Sequence, residues 1–198
     1  MRDGFFGTAR AGLFNPGMTQ SEVDGCNAIL DAMAGLQSSY IAYALATAYK
    51  ETAHHMHPVE EFGGPAYFFR RYDIGGQRPD IARQLGNLQP GDGVKYHGRD
   101  FVQTTGRTNY TKAAKATGVD LVNKPELIAA IPTASLVLRH GMLEGWFSGH
   151  KLADYLPSAG AGTLEQFTAC RHIINGVDCN VEIADYALQF QNYIAAGV

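Results

Sequence analysis

Between Tyr40 and Thr52 the chain reads Tyr-Ile-Ala-Tyr-Ala-Leu-Ala-Thr-Ala-Tyr-Lys-Glu-Thr, an apolar run with helical spacing that carries a lone carboxylate, Glu51. Ile41, Leu45, Ala48, Tyr49 and Thr52 recur at the helical period and predict a core-facing side. Thr47, Glu51 and His54 fall together on another face, a polar stripe on a mostly buried helix. A carboxylate half-surrounded by Ala, Tyr and Leu is desolvated, which favours its protonated form, the condition a general acid needs. The run ends at two further carboxylates, Glu60 and Glu61, in Pro-Val-Glu-Glu-Phe-Gly-Gly. A second carboxylate on the following loop can stay solvated and ionised. Two carboxyl groups in unlike environments are the equipment for glycoside hydrolysis. A lone Glu near a helix end is more often a solvated surface residue, so the remaining motifs have to decide.

The rest of the chain reads as mainly helical. Thr19-Gln-Ser-Glu22 is a capping box followed by an apolar stripe of Val23, Cys26, Ile29, Leu30 and Met33. Thr163-Leu-Glu-Gln166 is a second box, opening a helix to about residue 174. Helices are also expected over 108–117 and 133–146, and Asp178 is expected to cap a final helix with Ile183, Tyr186, Phe190 and Tyr193 facing inward. Residues 62–100 differ: Gly63-Gly64-Pro65, Gly75-Gly76, Arg78-Pro79, Gly86-Asn87 and Pro90-Gly91-Asp92-Gly93 mark frequent turns. Loops of this length inside a compact chain are usually functional. The expected architecture is an α-helical domain over residues 1–198 with a loop-rich cleft region and at most a small β element.

Composition narrows the function classes. With 198 residues, 45% apolar and 18% charged, the chain suits one globular domain or a domain with one subdomain. A formal charge of −3 and no basic run argue against nucleic acid as a partner. The same charge gives no bulk attraction to acidic wall polymers, so any grip on them must come from a local site. Three widely spaced cysteines, Cys26, Cys170 and Cys179, do not make a disulfide framework, and buried free thiols are expected. The N-terminus has no apolar stretch of the signal-peptide kind, which predicts a chain made in the cytoplasm. His54-His55-x-His57 invites a metal, but Lys50 breaks any His-Glu-x-x-His motif, and neither metal nor cofactor is expected.

The segment from Gly91 to Tyr110 is dense in hydrogen-bonding side chains interleaved with aromatics: Tyr96, Arg99, Gln103, Thr104, Thr105, Asn109 and Tyr110. Val-Gln-Thr-Thr has strand-like composition, placing Gln103 and Thr105 on one side. Such mixtures bind sugars. Here the chain resembles glycoside hydrolase family 19, specifically its chitinase-like endolysins of phage or prophage-like origin. The motifs Ala-Thr-Ala-Tyr-Lys-Glu-Thr-Ala-His, Pro-Val-Glu-Glu-Phe-Gly-Gly, Leu-Gly-Asn, Gly-Asp-Gly…Tyr-His-Gly-Arg, Val-Gln-Thr-Thr-Gly-Arg-Thr-Asn-Tyr, Gly-Met-Leu-Glu-Gly-Trp-Phe-Ser-Gly and Ile-Ile-Asn-Gly occur in that family's order.

The resemblance implies a lysozyme-like helical fold, a cleft beside the Glu51 helix and an inverting mechanism. Glu51 matches the general acid, with Thr52 as its hydrogen-bonding neighbour, and the base comes from Glu61, preferred, or Glu60. Gln103, Thr105 and Asn109 match the set that positions sugar and water, Asn175 would line the opposite wall, and Tyr96 and Arg99 would shape the cleft. Lys50 and Asp100 depart from the family pattern. Lys50, pointing inward, would favour the ionised form of Glu51, and Asp100 would pair with Arg99. The implied activity is endo-cleavage of β-1,4 linkages in peptidoglycan, with chitin as the alternative polymer and a non-catalytic glycan-binding module as the other class. A monomer released to the wall by a holin-type partner would fit.

Overall fold

The computed structural model describes residues 2–197, which divide into two compact units, one formed by the stretches up to His57 and from Leu138, the other by Pro58–Val137. The elements are α1 (Arg2–Ala11), α2 (Gln20–Ala32), α3 (Ser38–Glu51), β1 (Val59–Glu60), α4 (Pro65–Tyr72), α5 (Pro79–Gln84), α6 (Asp92–Lys95), β2 (Arg99–Asp100), α7 (Arg107–Thr117), α8 (Ile131–Glu144), α9 (Leu164–Ala169) and α10 (Asn180–Ala196). The structure is mainly helical, with one two-stranded antiparallel sheet among the described residues.

In the first unit α3 is the central helix. Ala42 to Tyr49 are all buried, Thr47 of the expected polar stripe included. It packs against α10 and α2, and α10 packs in turn on α1 and α9. Phe14, Tyr49 and Phe190 meet edge to face at 5.1–6.2 Å. Both capping boxes form as read from the sequence: Thr19 with Glu22, and Thr163 with Gln166.

Three expectations change in this unit. α3 stops at Glu51, and His54 lies beyond it in a left-handed turn with φ +76°, its ring stacked on Tyr49 at 4.3 Å. The polar stripe therefore ends at the carboxylate. Asp178 does not cap α10; Cys179 holds the N-cap position, in the left-handed conformation. Of the three free thiols Cys26 and Cys170 are buried, whereas Cys179 is half-exposed.

The second unit contains the turn-rich stretch, which is more ordered than its glycines suggest. Three short helices, α4, α5 and α6, lie inside it, two of them opened by Pro65 and Pro79 at the first helical turn. Buried Asp73 organises the loops between them. Its carboxylate accepts the amides of Gly75 (3.2 Å), Gly91 (2.8 Å) and Gly93 (3.1 Å). Asn87 donates to Tyr72 O and accepts from Arg107 N, and Arg107 pairs with Asp92. The unit's core holds Phe68, Tyr96, Phe101, Tyr110, Leu121 and Ile128.

The turn after Glu51 is pinned by close approach to α2. A Cβ added at Gly25 would lie 1.8 Å from Met56 O, a backbone atom. We expect Gly25→Ala to lower the midpoint of thermal unfolding, followed by circular dichroism, by on the order of 5 °C, the size of an overpacked core position. An unchanged midpoint would mean the turn moves freely.

Candidate active site

In the first unit Glu51 ends α3 with about a quarter of its side chain exposed, and a buried guanidinium grips it: Arg171 Nη1 donates to Glu51 Oε1 at 2.5 Å. Arg171 is 3% exposed and its Nε donates to Asp178 O at 2.7 Å. A buried cation needs such partners. Arg171 is a residue sequence reasoning missed: it stands 120 positions from Glu51 and no local pattern links them.

The neighbours assigned to Glu51 face elsewhere. Lys50 Nζ binds Glu182 at 2.6 Å, on α10, rather than turning toward the acid. Thr52 is 1% exposed; its hydroxyl donates to Ala48 O (2.7 Å) and accepts from Met56 N (2.9 Å). It closes the helix end and offers Glu51 no bond. Asn175 is exposed on the loop before α10, its backbone N–H donating to Arg171 O at 3.0 Å.

In the second unit β1 and β2 pair in the register Glu60↔Arg99 and Val59↔Asp100. Cross-strand neighbours meet on one face, so Arg99 Nε donates to Glu60 Oε1 at 3.0 Å and His97 Nε2 binds the same oxygen at 2.6 Å. No described residue donates to Oε2 of Glu60. The hydrogen bond from His97 and the charge of Arg99 hold the Glu60 carboxyl below the usual glutamate range. Arg99 is itself fixed by Lys95 O and Tyr110 Oη, each at 3.1 Å, and His97 stacks on Phe68 at 4.0 Å.

Glu61 points into a different setting. Its Oε1 accepts from Tyr72 Oη (2.8 Å) and Tyr67 Oη (3.4 Å), and its Oε2 from Gly98 N (3.3 Å). Burial, and then the adjoining Glu61 carboxylate, push the Tyr72 phenol up to about 12. A cavity of about 400 Å³ is lined by Glu60, Glu61, Phe62, Gly63, Phe68 and His97 among others. Phe62 is almost wholly exposed, an apolar ring beside two carboxylates.

The polar set after β2 is brought together across a turn and the start of α7 rather than on a strand. Gln103 has φ +57° and is exposed; Thr105 Oγ1 donates to Gln103 O at 2.9 Å and Asn109 Nδ2 to Thr105 O at 3.0 Å. Tyr96 is fully buried with its hydroxyl on Val122 O, so it supports this region from beneath and presents nothing to a ligand. Asp100 does not pair with Arg99. It is buried, its Oδ1 accepting from Val102 N at 2.7 Å, and its Oδ2 has no hydrogen-bond partner among the described residues. Burial pushes its carboxyl up from 3.8 to about 7. Among the described residues no group of acidic, histidine or cysteine side chains is arranged to hold a metal ion.

Asp100 sets a pH dependence of stability. Its raised folded value means the folded chain keeps a proton that the unfolded chain has already lost between 3.8 and about 7. That contribution is complete below 3.8 and is lost as the pH rises through 7. Asp100→Asn cannot ionise, so its melting temperature relative to wild type should climb between about pH 4 and pH 7 and then level off. A constant difference across that range would show that Asp100 does not titrate as its burial requires.

Residues 31–180 match the chitinase class I family, glycoside hydrolase family 19. Among curated relatives, chitinase 12 of Oryza sativa subsp. japonica is 31% identical over 124 residues, 56% of this chain and 36% of its own. A basic endochitinase of Vitis vinifera is 36% identical over 102 residues, 44% and 31% of the two chains. The matched stretch thus spans about a third of these relatives' length. Among solved structures, a bacterial family 19 chitinase superposes with a TM-score of 0.55 at 21% identity, covering 98% of this chain and 94% of that one. Chitinase C from Streptomyces griseus gives 0.56 at 19%, covering 98% and 76%. At that identity the likeness is one of fold, the lysozyme-like helical fold expected above.

Proposed function

The chain belongs to glycoside hydrolase family 19, the chitinase class I family, and from that premise we propose that it is an endo-acting enzyme cutting β-1,4 linkages of bacterial peptidoglycan by an inverting acid/base reaction. The observation that carries the reading is the contrast in how the carboxylates are held. Glu51 sits at the end of a buried helix with one oxygen on a buried arginine. Glu60 is exposed on a strand beside a cavity, with one oxygen pinned and the other unclaimed.

In this reading Glu51 protonates the glycosidic oxygen and Glu60 takes the proton of the attacking water. An inverting enzyme needs a base that is ionised at working pH and has a lone pair free for water. Glu60 meets both requirements: its carboxyl is held low and its Oε2 receives no bond from a described residue. Glu61, preferred on the motif alone, has both oxygens occupied by protein donors, which suits a positioning role. Gln103, Thr105 and Asn109 offer amides and a hydroxyl for sugar and water, and Phe62 offers an apolar face for the C–H surface of a ring. A lysin of this kind acts as a monomer and reaches the wall through a holin-type partner. Chitin is the second reading, favoured by the relatives' names, chitinase and endochitinase.

Two assays test the proposal. Reducing ends should be released from purified peptidoglycan sacculi, and Glu51→Gln should lower kcat by roughly 10²–10⁴-fold, the usual contribution of a general acid. Release from chitin oligomers alone would keep the chemistry and replace the substrate; full activity of the Gln variant would remove Glu51 from the reaction. Glu60→Gln should lose about as much as Glu51→Gln, and Glu61→Gln less. The reverse order for the last two would exchange their roles.

A further inference from the structure

The chain's charge is unevenly divided. Residues 58–137 hold ten Lys and Arg against eight Asp and Glu, while the remainder holds six against eleven. Within the positive unit, Arg70, Arg71 and Arg78 line one pocket of about 230 Å³ with Tyr67 and Gln77. Neither Arg70 nor Arg78 makes an ion pair with a described residue, and neither does Asp80, the nearest acidic side chain in sequence after Arg78.

The pocket is built rather than accidental. Gln77 N donates to Arg70 O at 2.9 Å, folding the turn after α4 back onto that helix. Gly76 lies so close that a Cβ there would meet Phe69 O at 2.2 Å. Arg71 is fixed over the rings of Tyr67 and Tyr72, and its Nε donates to Tyr72 Oη at 2.9 Å. Those two tyrosines are the ones whose hydroxyls hold Glu61. The Tyr72 hydroxyl therefore links Arg71 to a carboxylate of the candidate site.

We infer that this pocket binds a carboxylate substituent of the wall glycan, and so selects peptidoglycan over uncharged chitin; the inference rests on the peptidoglycan reading above. Chitin carries no ionised group. Peptidoglycan carries carboxylates on its stem peptides and, where the peptide is removed, on the lactyl ether of muramic acid. Guanidinium forks match carboxylates in geometry as well as charge, and two arginines without protein partners leave those donors available. A chain of net charge −3 needs such a local site to hold an anionic polymer.

The test compares wild type with Arg70→Gln/Arg78→Gln on three substrates: soluble peptide-bearing glycan strands, the same strands stripped by an amidase, and chitin oligomers. The double variant should lower the ratio of kcat/KM on wall strands to that on chitin oligomers by roughly tenfold, the loss of one charge-assisted bond. The loss should lie in KM and shrink as salt is raised. Loss on the peptide-bearing strands identifies a stem-peptide carboxylate, and loss on the stripped strands a lactyl carboxylate; either supports the inference. An unchanged ratio on both, with wild type cutting the strands and the variant melting normally, overturns the pocket and leaves the peptidoglycan reading standing. No cleavage of wall strands by wild type overturns both.

Discussion

A buried guanidinium organises the Glu51 carboxyl of the first unit. Arg171 is 3% exposed, and leaving such a charge without partners would cost several kcal/mol. It is satisfied by the Glu51 carboxylate and by the backbone oxygen of Asp178. The demand works in both directions: the arginine needs an acceptor, and the carboxyl is thereby held in one orientation at the end of α3. The second unit repeats the arrangement with other parts. Arg99, 9% exposed, is bound by Lys95 O and Tyr110, and presents its remaining nitrogens to Glu60 and His97. In each unit a glutamate that could rotate freely in solvent is aimed by an arginine that cannot.

The two glutamates of the Pro-Val-Glu-Glu motif acquire different characters from one structural fact. Successive residues of a strand point to opposite sides. Glu60, the last residue of β1, therefore faces the partner strand's Arg99, and Glu61, the residue after it, turns the other way to α4 and its tyrosines. Gly98 permits this crowding: a Cβ there would stand 3.1 Å from Glu61 Oε2 and 3.3 Å from the Gln103 side chain. The glycine of Tyr-His-Gly-Arg thus has a physical task, keeping space open between a carboxylate and the amide-bearing turn that follows.

Local chemistry was legible in the residues wherever one short stretch determined the outcome. Thr19 and Thr163 cap their helices because a hydroxyl three residues before Glu or Gln meets the geometry of a first turn. The inward stripe of α10, from Ile183 to Tyr193, follows from its period. Long-range pairing was not legible. Nothing near Lys50 points to Glu182, so its sequence neighbour Glu51 looked like its partner. Asp100 was expected to turn to adjacent Arg99, but strand alternation places them on opposite sides and buries Asp100 against backbone amides. The helices inside 62–100 were hidden because glycines and prolines that read as breakers stand at helix starts and in turns held by Asp73.

An acid and a base acting from separate carboxylates, with water as the nucleophile, leave a stereochemical record. The most direct test of the account is proton NMR of the first reducing ends formed from whichever β-1,4 glycan the enzyme cuts, recorded before mutarotation. Single displacement by water predicts the α anomer first. Initial appearance of the β anomer would mean a covalent intermediate and would contradict the assignment of Glu51 and Glu60 as acid and base of an inverting enzyme.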